Sequence, residues 1–122
     1  MNYMYRHYLC ILILFSGFNT IAQQKPDENC EIKGIKLIGE VEVVDFNGDL
    51  LVYVSEYEGM YGFEVELRDI ASSCCEWVVV EDLGDFTIEF VTYEFAADIV
   101  ITLYDNEKSR TFIEKYNLDD NW

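Results

Sequence analysis

From about residue 30 to residue 113 apolar and polar side chains alternate with a period of two, the mark of strands with one buried face. Phe63–Glu64–Val65–Glu66–Leu67 sets three apolar residues on one side and two glutamates on the other. Phe86–Thr87–Ile88–Glu89–Phe90 and Ile99–Val100–Ile101–Thr102–Leu103 follow the same rule, less cleanly. Glu40 to Val44, Leu50 to Val54 and Trp77 to Val80 are also β-rich; Ile32 to Ile38 predicts a first strand and Thr111 to Ile113 a weak last one. No long stretch repeats apolar residues at i, i+3, i+4 and i+7, so helix signals are poor. The pattern predicts a small all-β single domain of about six to eight short repeated strands. It spans residues 30–116, after a polar linker at 23–29 and before a polar tail at 117–122.

The strands share an opening. Gly48–Asp49, Gly84–Asp85 and Ala97–Asp98 each precede an alternating run, and the step from Asp85 to Asp98 is 13. The same step taken from Asp49 reaches Gly62 before Phe63 and then Cys75 before Glu76 and Trp77, while the unit from Cys75 to Asp85 is shortened to 10. The small residue lets the chain bend, and the carboxylate can accept a backbone N–H of its turn. Asp49, Asp85 and Asp98 are therefore expected to close turns. One such unit cannot bury its apolar face alone, so the units must share a core.

Short strands opened by Gly-Asp or Ala-Asp around a central Trp-containing strand resemble the bacterial septoil-knot domain family. The residues that carry the likeness are Cys30–Glu31–Ile32–Lys33–Gly34, Gly48–Asp49–Leu50, Glu76–Trp77–Val78, Gly84–Asp85–Phe86–Thr87–Ile88 and Ala97–Asp98–Ile99–Val100–Ile101. Gly62–Phe63 lacks the Asp, and Ser109–Arg110–Thr111 stands where the family tends to close with Ala-Gly. The resemblance implies a compact all-β domain threaded into a seven-crossing knot, against the general rule that chains are unknotted. It brings no activity and no site residue with it.

The N-terminus reads as an address. Met1 to Tyr8 carries Arg6 and His7 without an acid, Leu9 to Phe15 is apolar, and Ala22 ends a stretch suited to cleavage. Residues 1–22 are expected to be a signal peptide, and the protein to be secreted or periplasmic with no membrane attachment after cleavage. The mature chain would run from Gln23 to Trp122, and its seven basic residues against 24 acidic ones give a net charge of -17, compared with -16 for the full chain. Such a surface repels phosphate and anionic lipid, which argues against nucleic-acid or membrane partners. The single histidine, His7, leaves with the leader. That removes Ser-His-Asp triads, Cys-His pairs and His-ligated metals from consideration.

Cys30, Cys74 and Cys75 remain. One disulfide is expected in an oxidising compartment, joining Cys30 to Cys74 or to Cys75. The odd thiol would be buried, or pair between chains, or close a Cys74–Cys75 ring. No CxxC spacing is present, and three cysteines without histidine make a weak zinc site.

Asp45–Phe46–Asn47–Gly48–Asp49 offers oxygens at tight spacing, but lacks the spacing and distal Glu of a calcium hand; Asn47–Gly48 between β runs is a hairpin signal. Glu64 with Glu66 and Glu81 with Asp82 are carboxylate pairs of the kind a dense acidic coat produces by chance. Tyr53, Tyr57, Tyr61, Tyr93 and Tyr104 could line a flat face that stacks on sugars or packs on a protein, or simply pack across strands. These features point to a secreted, acidic, non-enzymatic β domain without a cofactor, acting as a structural or protein-interaction module. The alternative is a calcium- or glycan-binding module.

Overall fold

A computed structural model of the chain describes residues 25–56 and 62–118. The expected signal peptide (1–22), Tyr57, Tyr61 and the last four residues of the tail lie outside the described residues.

Among the described residues, eight strands and one α-helix follow in chain order. They are β1 (Glu31–Ile32), β2 (Ile35–Lys36), β3 (Gly39–Val43), β4 (Leu50–Val54), β5 (Phe63–Leu67), β6 (Glu76–Val80), β7 (Phe86–Phe90), β8 (Ile99–Leu103) and α1 (Glu107–Lys115). β1 and β2 form a two-stranded antiparallel sheet, and β3 to β8 close into a six-stranded barrel in the order β3-β6-β5-β8-β4-β7. The molecule is mostly β, with one short α-helix that the all-β expectation omitted.

Every strand pair of the barrel is parallel. The chain circles the barrel in one sense, laying β3, β4 and β5 in alternate places and then β6, β7 and β8 in the gaps. Each strand of the first lap pairs with its counterpart in the second at one constant offset: Gly39 with Trp77, Leu50 with Ile88, Phe63 with Ile101. The expected repeat is thus a ladder register between two laps.

Parallel strands ordinarily need a crossover of a dozen or more residues, usually a helix. Here the connections are 44–49, 55–62, 68–75, 81–85 and 91–98, five to eight residues each. Stagger removes the need for a long return. Val43, where β3 ends, and Leu50, where β4 begins, are both level with Ile88 of the strand between them. Val54 and Phe63 are both level with Ile101, and Phe90 and Ile99 with Val52. Four of the connections therefore span two strand spacings, roughly 10 Å, without running back along the barrel, while 68–75 joins the neighbours β5 and β6. Followed once around, the registers return to β3 displaced by more than twice the length of the strand itself. That stagger tilts the strands by about 55°, steeper than the usual ~35–45°.

The period of two puts Val41, Leu50, Val52, Val54, Val65, Ile88, Ile99 and Ile101 inside, each at most 1% exposed. Full burial of side chains of this size stabilises by about 1.5–3 kcal/mol apiece. Glu40, Glu42, Glu64, Thr87 and Glu89 alternate with them on the outside. Both mouths are covered. The β1–β2 hairpin brings Ile32 and Leu37 into the core beside Trp77, and α1 brings Phe112, followed by Leu118.

Three local expectations change. Ile32 to Ile38 is not one strand, because Lys33 and Gly34 adopt left-handed backbone (φ 56° and 78°) and fold it into a hairpin. Thr111 to Ile113 lies within α1, whose start is fixed by a capping box: Asn106 Oδ1 accepts from Ser109 N–H, and Ser109 Oγ accepts from Asn106 N–H. The tail is not wholly polar or loose, since Leu118 is 2% exposed. The linker is also tied from Asp27 onward, where its carboxylate accepts N–H groups of Asn29 and Glu31.

Candidate functional site

The three Asp-led openings lie where crossovers settle onto the barrel. Gly48 rests against the backbone of β7: a Cβ there would come within 2.8 Å of Glu89 N and 3.0 Å of Ile88 C. Gly84 rests on β3 in the same way, 2.9 Å from Glu42 N, and Ala97, before β8, is 2% exposed. The small residue thus leaves room for one layer of chain to lie directly on another.

The aspartate that follows starts the next ladder. Asp85 N–H donates to Glu40 O at 2.7 Å, and Glu40 N–H donates to Asp85 Oδ2 at 2.8 Å. Asp98 makes the same pair with Leu51, at 2.7 and 2.8 Å. Asp49 Oδ2 accepts from Thr87 N–H at 2.9 Å, and Thr87 Oγ1 accepts from Asp49 N–H at 2.9 Å. In each case the carboxylate stands in for the backbone carbonyl that a regular ladder would supply. The expected closure of a local turn is therefore corrected: the partners lie 38 to 47 residues away, on a neighbouring strand. The three aspartates do not converge on one pocket. Asp98 also meets Lys33 Nζ at 3.2 Å. Asp98→Ala would leave the part-buried Leu51 N–H without its acceptor, and is expected to cost about 1–3 kcal/mol in urea unfolding. A cost near zero would mean that the carboxylate merely decorates the surface.

Asn47–Gly48 does not make a hairpin, because β3 and β4 are not neighbours. Asn47 supplies a left-handed bend (φ 57°) within a crossover. Of the calcium-type oxygens in that loop, the Asp49 carboxylate is already engaged by Thr87, and Asp45 is exposed.

At the entrance mouth Cys30 and Cys74 form a disulfide, with an S–S distance of 2.07 Å. Cys75 is the free thiol, half-buried, and burial pushes it up to about 11. The three Sγ atoms lie within 4.8 Å of one another, but two of them are committed to the disulfide. The Leu37 carbonyl gathers this corner: it accepts from Cys75 N–H at 3.0 Å and Trp77 Nε1 at 3.3 Å, and lies 3.6 Å from Cys30 Sγ. Beside it Glu76 is held below the usual carboxylate range, first by the Ser72 N–H, then by Ser73 N–H and Arg68, with burial acting in the opposite direction.

At the exit mouth α1 lies across the strand ends. Asn106 Nδ2 donates to Leu67 O at 3.2 Å, tying the helix start to β5. Phe112 meets Phe90 of β7 edge-on and Tyr116 meets it at a tilt, each with ring centroids 5.7 Å from it. Between α1 and the ends of β5 and β6 runs a groove of about 650 Å³ with Val78, Val79 and Phe112 in its lining. Arg68, Lys108 and Lys115 also line it, three of the eight basic residues of the chain. They pair with Glu76 at 3.0 Å, Asp69 at 2.6 Å and Glu81 at 3.4 Å. Alternation did not reveal this groove. The signal that could have found it is Ser109, Phe112, Ile113 and Tyr116, an i, i+3, i+4, i+7 series whose first member is a buried serine.

The tyrosines do not assemble into one described face. Tyr53 is half-buried on the outer side of β4, Tyr104 follows β8, and Tyr93 stacks on Phe95 with ring centroids 5.4 Å apart on the β7–β8 crossover. Glu64 and Glu66 share the outer side of β5, and Glu81 and Asp82 are exposed on the β6–β7 crossover. No described helix is long and apolar enough to cross a membrane. In comparisons with known proteins, no family model, no curated protein and no solved structure matches this chain.

Proposed function

We propose that this chain is an exported, non-enzymatic β domain that serves as a rigid protein-interaction module, with the groove beside α1 as its contact face. The observation that carries this reading is a barrel filled to its axis and covered at both mouths. Such an interior holds no ligand, so any function sits on the outer surface. The chain carries 24 acidic residues against eight basic ones, and the groove combines apolar lining with three cations: Lys108 and Lys115 in weak, exposed pairs, and Arg68 on Glu76, whose side chain is 13% exposed. Export rests on the N-terminal pattern and agrees with a disulfide.

Membership of the septoil-knot family belongs to the same proposal. It is supported by the two interleaved laps and by crossovers that lie outside the strands they skip.

A photo-crosslinker at Thr111, on the wall of the groove, is expected to capture a discrete protein partner in the exporting cell, and one at Glu64 to capture none. Products from neither position, or a melting midpoint raised by Ca²⁺ or a glycan, would overturn the reading in favour of a ligand-binding module or of no surface role.

A further inference from the structure

The entrance mouth carries a thiol in contact with a disulfide. Cys75 Sγ lies 3.4 Å from Cys74 Sγ, and Cys30 Sγ is within 4.8 Å of both. Leu37 N–H donates to the Cys30 carbonyl at 2.8 Å and Cys75 N–H donates to the Leu37 carbonyl at 3.0 Å, so these two cysteines are fastened side by side by the backbone. Their surroundings differ: Cys30 is 8% exposed, Cys75 is half-buried and Cys74 is exposed.

We propose that Cys30, Cys74 and Cys75 form a thiol–disulfide exchange site in which the disulfide moves from Cys30–Cys74 to Cys30–Cys75 and delivers a free thiol at the surface. The Cys75 thiol first gives its proton to solvent base. Its thiolate attacks Cys30 Sγ; the Cys75–Cys30 bond forms as the Cys30–Cys74 bond breaks. The electron pair leaves on Cys74 Sγ, which takes a proton from water. One disulfide and one thiol stand on each side, so no oxidant or reductant is required. Solvation sets the direction. Departure at Cys74 puts the new thiolate in water, whereas attack on Cys74 would strand the charge on buried Cys30. The product presents a thiol that can form a mixed disulfide with a second thiol-bearing protein outside the reducing cytosol.

The resting geometry holds the exchange in check. Attack on Cys30 requires Cys75 and Cys74 on opposite sides of it, and at 3.4 Å apart they are not, so the Cys75 side chain must rotate first. Burial also keeps the thiol protonated at neutral pH, and the thiolate fraction rises about tenfold per pH unit below its pKa of about 11.

Two measurements test the site. Native protein is incubated with iodoacetamide at pH 7, 8 and 9, and the label is mapped by peptide mass. The label is expected on Cys74, at a rate rising about tenfold per pH unit, and to be absent from Cys75→Ser. Label on Cys75 alone, or none on the native protein, overturns the proposal. Independently, Cys74→Ser folded without reductant is expected to hold a Cys30–Cys75 disulfide, with neither of those two thiols titratable. Cys30 and Cys75 both free in that folded variant would show that the pair cannot be reached.

Discussion

Gly48→Ala is expected to cost the barrel about 3 kcal/mol or more, a large share of the roughly 5–15 kcal/mol that holds a domain folded. The added methyl would sit 2.8 Å from both Glu89 N and Glu89 Cβ. Those atoms belong to β7, which is fixed between β3 and β4 and cannot retreat without breaking a ladder. Gly34→Ala is the control. Gly34 has left-handed backbone (φ 78°) but open space around its Cβ position, so alanine there carries only a conformational cost of about 1–2 kcal/mol. The comparison separates a close crossing of two layers from ordinary turn strain. Urea midpoints at equal m-values measure it; equal losses at the two sites would mean that no crossover lies on β7.

Cys30→Ser is expected to be comparably severe. The disulfide joins residues 44 apart and fastens the hairpin that covers the entrance mouth. In the chain-entropy model a loop of that length contributes about 4 kcal/mol. Cys30 is the partner common to both pairings, so its loss leaves neither disulfide of this corner available, whereas Cys74→Ser leaves Cys75 as a substitute. Reductant should bring the wild-type urea midpoint down close to that of Cys30→Ser, with little further effect on the variant. A wild-type midpoint indifferent to reductant would show that Trp77 and Leu37 hold the mouth closed without the bond.

Much of the strand content is legible from alternation, because each barrel strand has one face in the core and one in water. Phe63–Leu67 and Phe86–Phe90 coincide with β5 and β7. The direction of the strands is not legible. One-sided alternation suits antiparallel sheets, and parallel strands usually read as continuous apolar runs because helices cover both faces. Here short crossovers replace those helices, so the outer glutamates remain wet and the usual cue is missing. Asn47–Gly48 misleads for the same reason: its local preference for a bend is real, but the bend opens a crossing instead of a hairpin. Gly48, Gly84 and Ala97 are read as flexible points when their main property is size. The aspartates are read as acceptors, but their donors sit on strands whose register no local window contains. The helix escapes because Ser109 occupies an apolar position, buried by its capping hydrogen bonds.

The central claim is that two laps of parallel strands interleave with a fixed register. Backbone NOEs in isotope-labelled protein test it directly. Contacts are expected at Gly39 with Trp77, Leu50 with Ile88 and Phe63 with Ile101, one constant offset pairing β3 with β6, β4 with β7 and β5 with β8, together with contacts between Gly48 and Glu89. Contacts linking Leu50–Val54 to Phe63–Leu67 in antiparallel order, as successive hairpins would give, would contradict the winding and the role assigned to every Asp-led crossover.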